Sequence, residues 1–99
     1  MERRERIEAT LRRELAADPL QVVDESHLHA GHAGARGGGG HFRAVIVSAR
    51  FEGKSAVERQ RLVYAALAEE MGREIHALSM QTLTPAQWRE QAAGAARLV

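Results

Sequence analysis

Histidine is the residue type in this chain with both the number and the placement to do chemistry. There are five: His27, His29, His32, His41 and His76. Three fall in the short segment Ser26-His27-Leu28-His29-Ala30-Gly31-His32, His41 follows, and His76 stands apart. Imidazole is the commonest metal ligand and the group whose charge changes near neutral pH. Spacing alone leaves three readings open. One is a metal or metal-cluster site. Another is a general acid–base site drawing on Asp24 or Glu25. The third is a set of solvent-exposed loop histidines plus one half-buried strand histidine.

The residues that are missing narrow the chemistry. The chain has no cysteine. Disulfides, a thiolate nucleophile and a thiolate metal site made by this chain alone are excluded. Ser26, Ser48, Ser55 and Ser79 sit in no recognisable nucleophile motif. No catalytic residue is assigned, and the chain reads as a binding protein, not an enzyme. Gly37 to Gly40 lead into a strand, whereas a phosphate-cradling loop opens a helix. The 14 basic and 13 acidic residues give a net charge of +1. That lacks the basic excess of a strong nucleic-acid binder. A local run, Arg50, Lys54, Arg59 and Arg61, is a solvated helix face by preference and a nucleic-acid patch by alternative. No apolar run approaches the roughly 18 residues of a membrane span, and residues 1–6 lack the apolar stretch of a signal. No membrane association and a cytoplasmic location are expected.

The histidines must be positioned by a small scaffold. Ninety-nine residues suit one domain with one core. Residues 2–17 read as a helix, with Ile7, Leu11 and Leu15 on one stripe and Glu8 placed to pair with Arg12. Asp18-Pro19 ends it. Residues 20–24 read as a strand. Residues 26–40 read as a flexible loop, because consecutive glycines are costly to fix. The alternation of residues 41–48 marks a central strand with both faces partly apolar. Ser55 and Glu58 form a capping box for a helix over residues 56–71. Val57, Tyr64, Leu67 and Met71 make its apolar side, Leu62 and Ala66 broaden it, and Gly72 stops it. Residues 75–83 alternate as a third strand, with Ile75, Ala77, Ser79, Gln81 and Leu83 on one side. His76, Leu78, Met80 and Thr82 take the other. Thr84, Pro85 and Gln87 start a last short helix that Trp88 packs back onto the sheet. A single domain over residues 1–92 and a frayed tail at 93–99 follow.

The order is α-β-β-α-β-α. This predicts an α+β fold with a three-stranded mixed sheet and helices packed on one face. The first two strands pair antiparallel, and the second and third pair parallel through a right-handed crossover. His41 and His76 then start neighbouring strands at one end. The loop with His27, His29 and His32 leaves from the same edge.

Three segments together resemble the BolA family. The first is Val22-Val23-Asp24-Glu25-Ser26 with His29 beyond it. The second is His41-Phe42-Arg43 through Val47-Ser48, then Arg50-Phe51-Glu52-Gly53-Lys54. The third runs from Arg59-Gln60-Arg61-Leu62 to Glu69-Glu70, then Ile75-His76-Ala77-Leu78-Ser79 and Thr84-Pro85-Ala86-Gln87-Trp88. The resemblance covers about residues 3–90 and implies a fold similar to the class II KH domain. It implies an adaptor that pairs with a monothiol glutaredoxin to bind a bridging [2Fe–2S] cluster, in iron–sulfur trafficking or iron homeostasis. The partner and glutathione would supply thiolates, so the chain alone would hold no cofactor. His76 matches the family's essential histidine, and His29 matches the loop ligand of the histidine subgroup. His41, His32 and His27 are the other candidates. Such ligation is Rieske-like in type and raises the potential relative to all-thiolate ligation. The resemblance also implies an alternative, a regulator of stress response and cell morphology that binds duplex DNA through Arg50, Lys54, Arg59 and Arg61. The free chain is expected to be a monomer or weak homodimer.

Overall fold

Ile7, Leu11 and Leu15 recur every four residues and are 0%, 0% and 3% exposed, so one helical stripe goes wholly into the core. They belong to α1 (Arg3–Leu15) in a computed structural model that describes residues 2–26 and 40–98. The solvent side is laced by charge, with Arg4 and Arg12 both reaching Glu8. The helix ends at Leu15, short of the expected residue 17. Ala16 turns left-handed at φ 50°, and its N–H returns to the Leu11 carbonyl. Ala17 then enters the core, and the Asp18 N–H donates to the Val47 carbonyl (2.9 Å).

The sheet has the expected order. β1 (Leu20–Asp24) pairs antiparallel with β2 (Gly40–Val47), from Leu20 opposite Ile46 to Asp24 opposite Phe42. β2 is central and pairs parallel with β3 (Ile75–Leu83) on its other side. Between them lie a turn of 3-10 helix (Ala49–Phe51) and α2 (Ala56–Ala66). Val22, Phe42, Ala44, Ile46 and Ile75 face α1 and α2 and close the core with Phe51, Val63 and Leu67. Fully burying an aliphatic or Phe side chain of this kind contributes about 1.5–3 kcal/mol each. The expectation of a mobile loop falls largely on residues 27–39, outside the described residues.

α2 differs from its expected form in length and in facing. Ser55 and Glu58 make the capping box: the Glu58 N–H donates to Ser55 Oγ (3.2 Å) and the Ser55 N–H donates to Glu58 Oε1 (2.9 Å). The buried stripe is Val63 with Leu62 and Ala66 beside it, whereas Val57 is 54% exposed and Tyr64 36%. The helix stops at Ala66, not at residue 71. Leu67 and Ile75 are both fully buried, and a chain of turns between them brings both to the core. The Glu70 carbonyl closes these turns by accepting from the N–H groups of Arg73, Glu74 and Ile75. Gly72 sits among them at φ 82°, a conformation that suits glycine.

The last helix, α3, runs over Pro85–Leu98, so most of the expected tail at 93–99 is helical. Ala92, Ala93, Ala95 and Ala96 explain this, since alanine is the best helix former and offsets the cost of Gly94. Thr84 and Gln87 exchange the expected capping bonds (2.9 and 3.2 Å). Trp88 lines a shallow groove with Pro19, Leu20, Gln21, Val45 and Gln81, so α3 packs against the sheet face opposite the core, not on one face with α1 and α2 as expected.

Candidate functional site

β1 ends where β2 and β3 begin, so one edge of the sheet collects the chain segments that carry histidine. The Glu25 N–H donates to the His41 carbonyl (2.7 Å), the last backbone bond of the β1–β2 ladder on this side. The His41 N–H donates to Ser26 Oγ (3.1 Å), so a hydroxyl takes the place of a strand carbonyl. The Ser26 N–H in turn donates to Asp24 Oδ1 (2.9 Å). Across the edge, the Gly40 N–H donates to the Glu74 carbonyl (2.8 Å), which fixes the chain just before Ile75. Arg43 Nε donates to Glu25 Oε2 (3.1 Å) on the outside.

The two strands fall out of step here. Gly40 lies opposite Ile75, but His41 lies opposite Ala77, so His76 is an extra residue with no partner on β2. A bulge of this kind re-aims a side chain. It corrects the alternation expected from the sequence, which set His76 on the side of Leu78, Met80 and Thr82. Those three are half-buried, whereas His76 and Ala77 are both exposed. The His76 ring lies beside that of His41, with centroids 5.2 Å apart and planes tilted by 47°. His41 is half-buried, with its Nε2 wholly covered, and His76 is exposed, so His76 is the open member of the pair.

Two adjacent imidazoles can offer two nitrogen ligands. Among the described residues, no group of three or more His, Cys, Asp and Glu is placed to hold a metal ion. A four-ligand metal shell, or the shell of a two-iron cluster, would need donors beyond this pair. His27, His29 and His32 lie outside the described residues. Among the described residues the edge thus offers at most these two imidazoles, of which His76 is the exposed one. An acid–base reading gains little, because Ser26 meets the backbone of His41 and Asp24 accepts from the backbone of Ser26.

The basic run does not form one open patch. Arg50, Lys54 and Arg61 are exposed. Arg59 is turned to structural use. It donates to the Lys54 carbonyl (3.0 Å), the Thr82 carbonyl (3.2 Å) and Gln87 Oε1 (2.8 Å), and lies 5.9 Å from the centre of the Phe51 ring. It ties α2 to the end of β3 and the start of α3. Among the described residues, no helix is long and apolar enough to cross a membrane.

The family model for BolA-like proteins matches residues 11–87. This chain belongs to the BolA-like family. It is 50% identical to human BolA-like protein 1 over 84 residues, which cover 85% of this chain and 59% of that protein. It thus spans little more than half the length of that relative. It is 44% identical to the DNA-binding transcriptional regulator BolA of Escherichia coli, over 86% of this chain and 78% of the regulator. The fold superposes on a Bol-like protein from Babesia bovis with a TM-score of 0.76 at 40% identity, covering 93% of this chain and 95% of the other. Three helices around a three-stranded mixed sheet are thus the BolA-like arrangement. Within this BolA-like domain, Ser26, Gly40 and Glu74 were not singled out from the sequence. A signal for the bulge exists, since Ile75 and Leu78 are apolar at a spacing of three where a regular strand repeats every two.

Proposed function

We propose that this BolA-like chain is an adaptor that, with a monothiol glutaredoxin, holds a bridging [2Fe–2S] cluster in iron–sulfur trafficking or iron homeostasis. The observation that carries the reading is the exposed His76 with the His41 ring beside it, in a chain without cysteine. Such a chain can give nitrogen ligands and must take its thiolates from a partner and from glutathione. His76 is the first ligand, presented by the bulge. The second imidazole is His29 by family resemblance, and His41 is the neighbour that stands beside His76 in the structure. When bound, the cluster supplies one-electron chemistry at a potential raised by nitrogen ligation. The chain's own part is to present imidazole nitrogens from the edge of the sheet. What the second nitrogen of each ring donates to sets its basicity.

The test is to mix the chain with a cluster-loaded monothiol glutaredoxin and record the visible absorption and circular dichroism spectra. A heterodimer with a new spectrum that His76→Ala abolishes or alters supports the reading. An unchanged spectrum in His76→Ala refutes His76 as a ligand. His29→Ala and His41→Ala, made separately, identify the companion.

A second reading, duplex DNA binding, is favoured by the 44% identity to the E. coli regulator. The exposed Arg50, Lys54 and Arg61 would carry it, with Arg59 held internally. Salt-dependent, sequence-selective binding that is lost in a Lys54→Ala, Arg61→Ala double variant supports it. Equal weak affinity for every sequence counts against it.

A further inference from the structure

The break in the β2–β3 register and the hydroxyl bond of Ser26 occur at the same point. The register shifts between Gly40 and His41, and the His41 N–H is the group that Ser26 Oγ accepts. On the other side of this step, the Gly40 N–H is held by the Glu74 carbonyl. The start of β2 is thus clamped from both neighbours within one peptide unit. Gly40 has no room for a side chain. An added Cβ would lie 2.6 Å from Phe42 Cε2 and 2.9 Å from Ser26 Oγ, and real Cβ atoms do not approach so closely. Ser26, Gly40 and the Phe42 ring are therefore packed into one contact. Ser26 is itself oriented by its N–H bond to Asp24 Oδ1.

We propose that Ser26 is a positioning residue for the histidine pair: its hydroxyl, packed on Gly40, holds the first residue of the shifted register so that His41 stands beside the bulged His76. For iron–sulfur binding, this consequence rests on the function proposed above. The geometric claim concerns the free chain alone. Without the hydroxyl, the His41 N–H loses its acceptor, and the start of β2 is free to slide toward the regular pairing in which His76 has no bulge to sit in. The imidazole spacing then changes while the core, which begins at Phe42 and Ile75, stays packed.

The experiment has two arms on the full chain. In the first, nuclear Overhauser contacts between the ring protons of His41 and His76 are measured in the free protein. The wild type shows the cross-peaks, Ser26→Ala loses them, and Ser26→Thr, which keeps the oxygen, retains them. The amide signals of Val63 and Leu67 stay unchanged throughout, which separates positioning from unfolding. Gly40→Ala provides a second variant that displaces the same contact from the other side and also loses the cross-peaks. In the second arm, each variant is mixed with cluster-loaded glutaredoxin, and its visible circular dichroism shifts in Ser26→Ala but not in Ser26→Thr. Retention of the ring cross-peaks in Ser26→Ala overturns the proposal. If the wild type takes no cluster from glutaredoxin, the function fails and the first arm still decides the role of Ser26.

Discussion

At the end of the sheet where β1 starts and β2 and β3 finish, the backbone is tied together around a buried hydroxyl. Ser48 is 1% exposed, and its hydroxyl donates to the Leu15 carbonyl (2.6 Å) while accepting from the Arg50 N–H (3.1 Å). Its own N–H donates to the Leu83 carbonyl (2.9 Å), and the Val47 N–H donates to the Pro19 carbonyl (3.2 Å). Phe51 seals this end at 0% exposed. The opposite end, with His41 and His76, has a ladder that steps out of register and an exposed extra residue. One end spends its interactions on the fold. The other end is looser, with His76 exposed beside His41. The packed ladder and the exposed histidine thus lie at opposite ends of the same strands, so a change at position 76 should cost the fold little.

The contrast can be broken by substitution. Phe51→Ala at the closed end removes a fully buried ring and should cost about 3–5 kcal/mol, read from the urea midpoint. Ser48→Ala should cost about 1–3 kcal/mol, because the buried Leu15 carbonyl loses its donor and the part-buried Arg50 N–H its acceptor. A smaller effect belongs to the α2 cap, which lies between the two ends. The Ser55 N–H and hydroxyl hold the Glu58 carboxyl below the usual carboxylate range. A carboxyl with a lowered folded pKa binds fewer protons in the folded than in the unfolded state, so its contribution is present at neutral pH. It fades as pH falls through the carboxylate range toward that lowered value. Stability curves of wild type and Glu58→Gln should therefore converge as pH falls through and below the carboxylate range. The smallest stability effect belongs to His76→Ala, expected within about 0.5 kcal/mol of wild type, as for other exposed positions. If His76→Ala unfolds the protein, the division between the two ends is wrong.

Much of the scaffold was legible because its signals are local. The four-residue spacing in α1, the capping boxes at Ser55 and Thr84, and the alternation of β2 each depend on neighbours in the chain. The facing of α2 was not legible. Val57 and Tyr64 fit an apolar stripe as well as Val63 does, and only the packing of the helix against Phe42, Phe51 and Ile46 chooses between them. The candidate site was half legible. Topology brought His41 and His76 to one edge, as expected. The bulge was missed because period-two reading assumes unbroken pairing, and a register shift belongs to the partner strand as much as to β3. Arg59 misled for a related reason: its charge suggests a ligand, but its three internal acceptors lie on residues 54, 82 and 87.

The extra residue in β3 acts like an inserted letter that leaves the message on either side intact. With position 76 set aside, Ile75, Ala77 and Leu78 run inward, outward, inward without interruption, in phase with Gly40, His41 and Phe42. The fold does not need that position to count. A residue there can be exchanged without moving a core side chain across the sheet, so the fold places little demand on the identity of position 76.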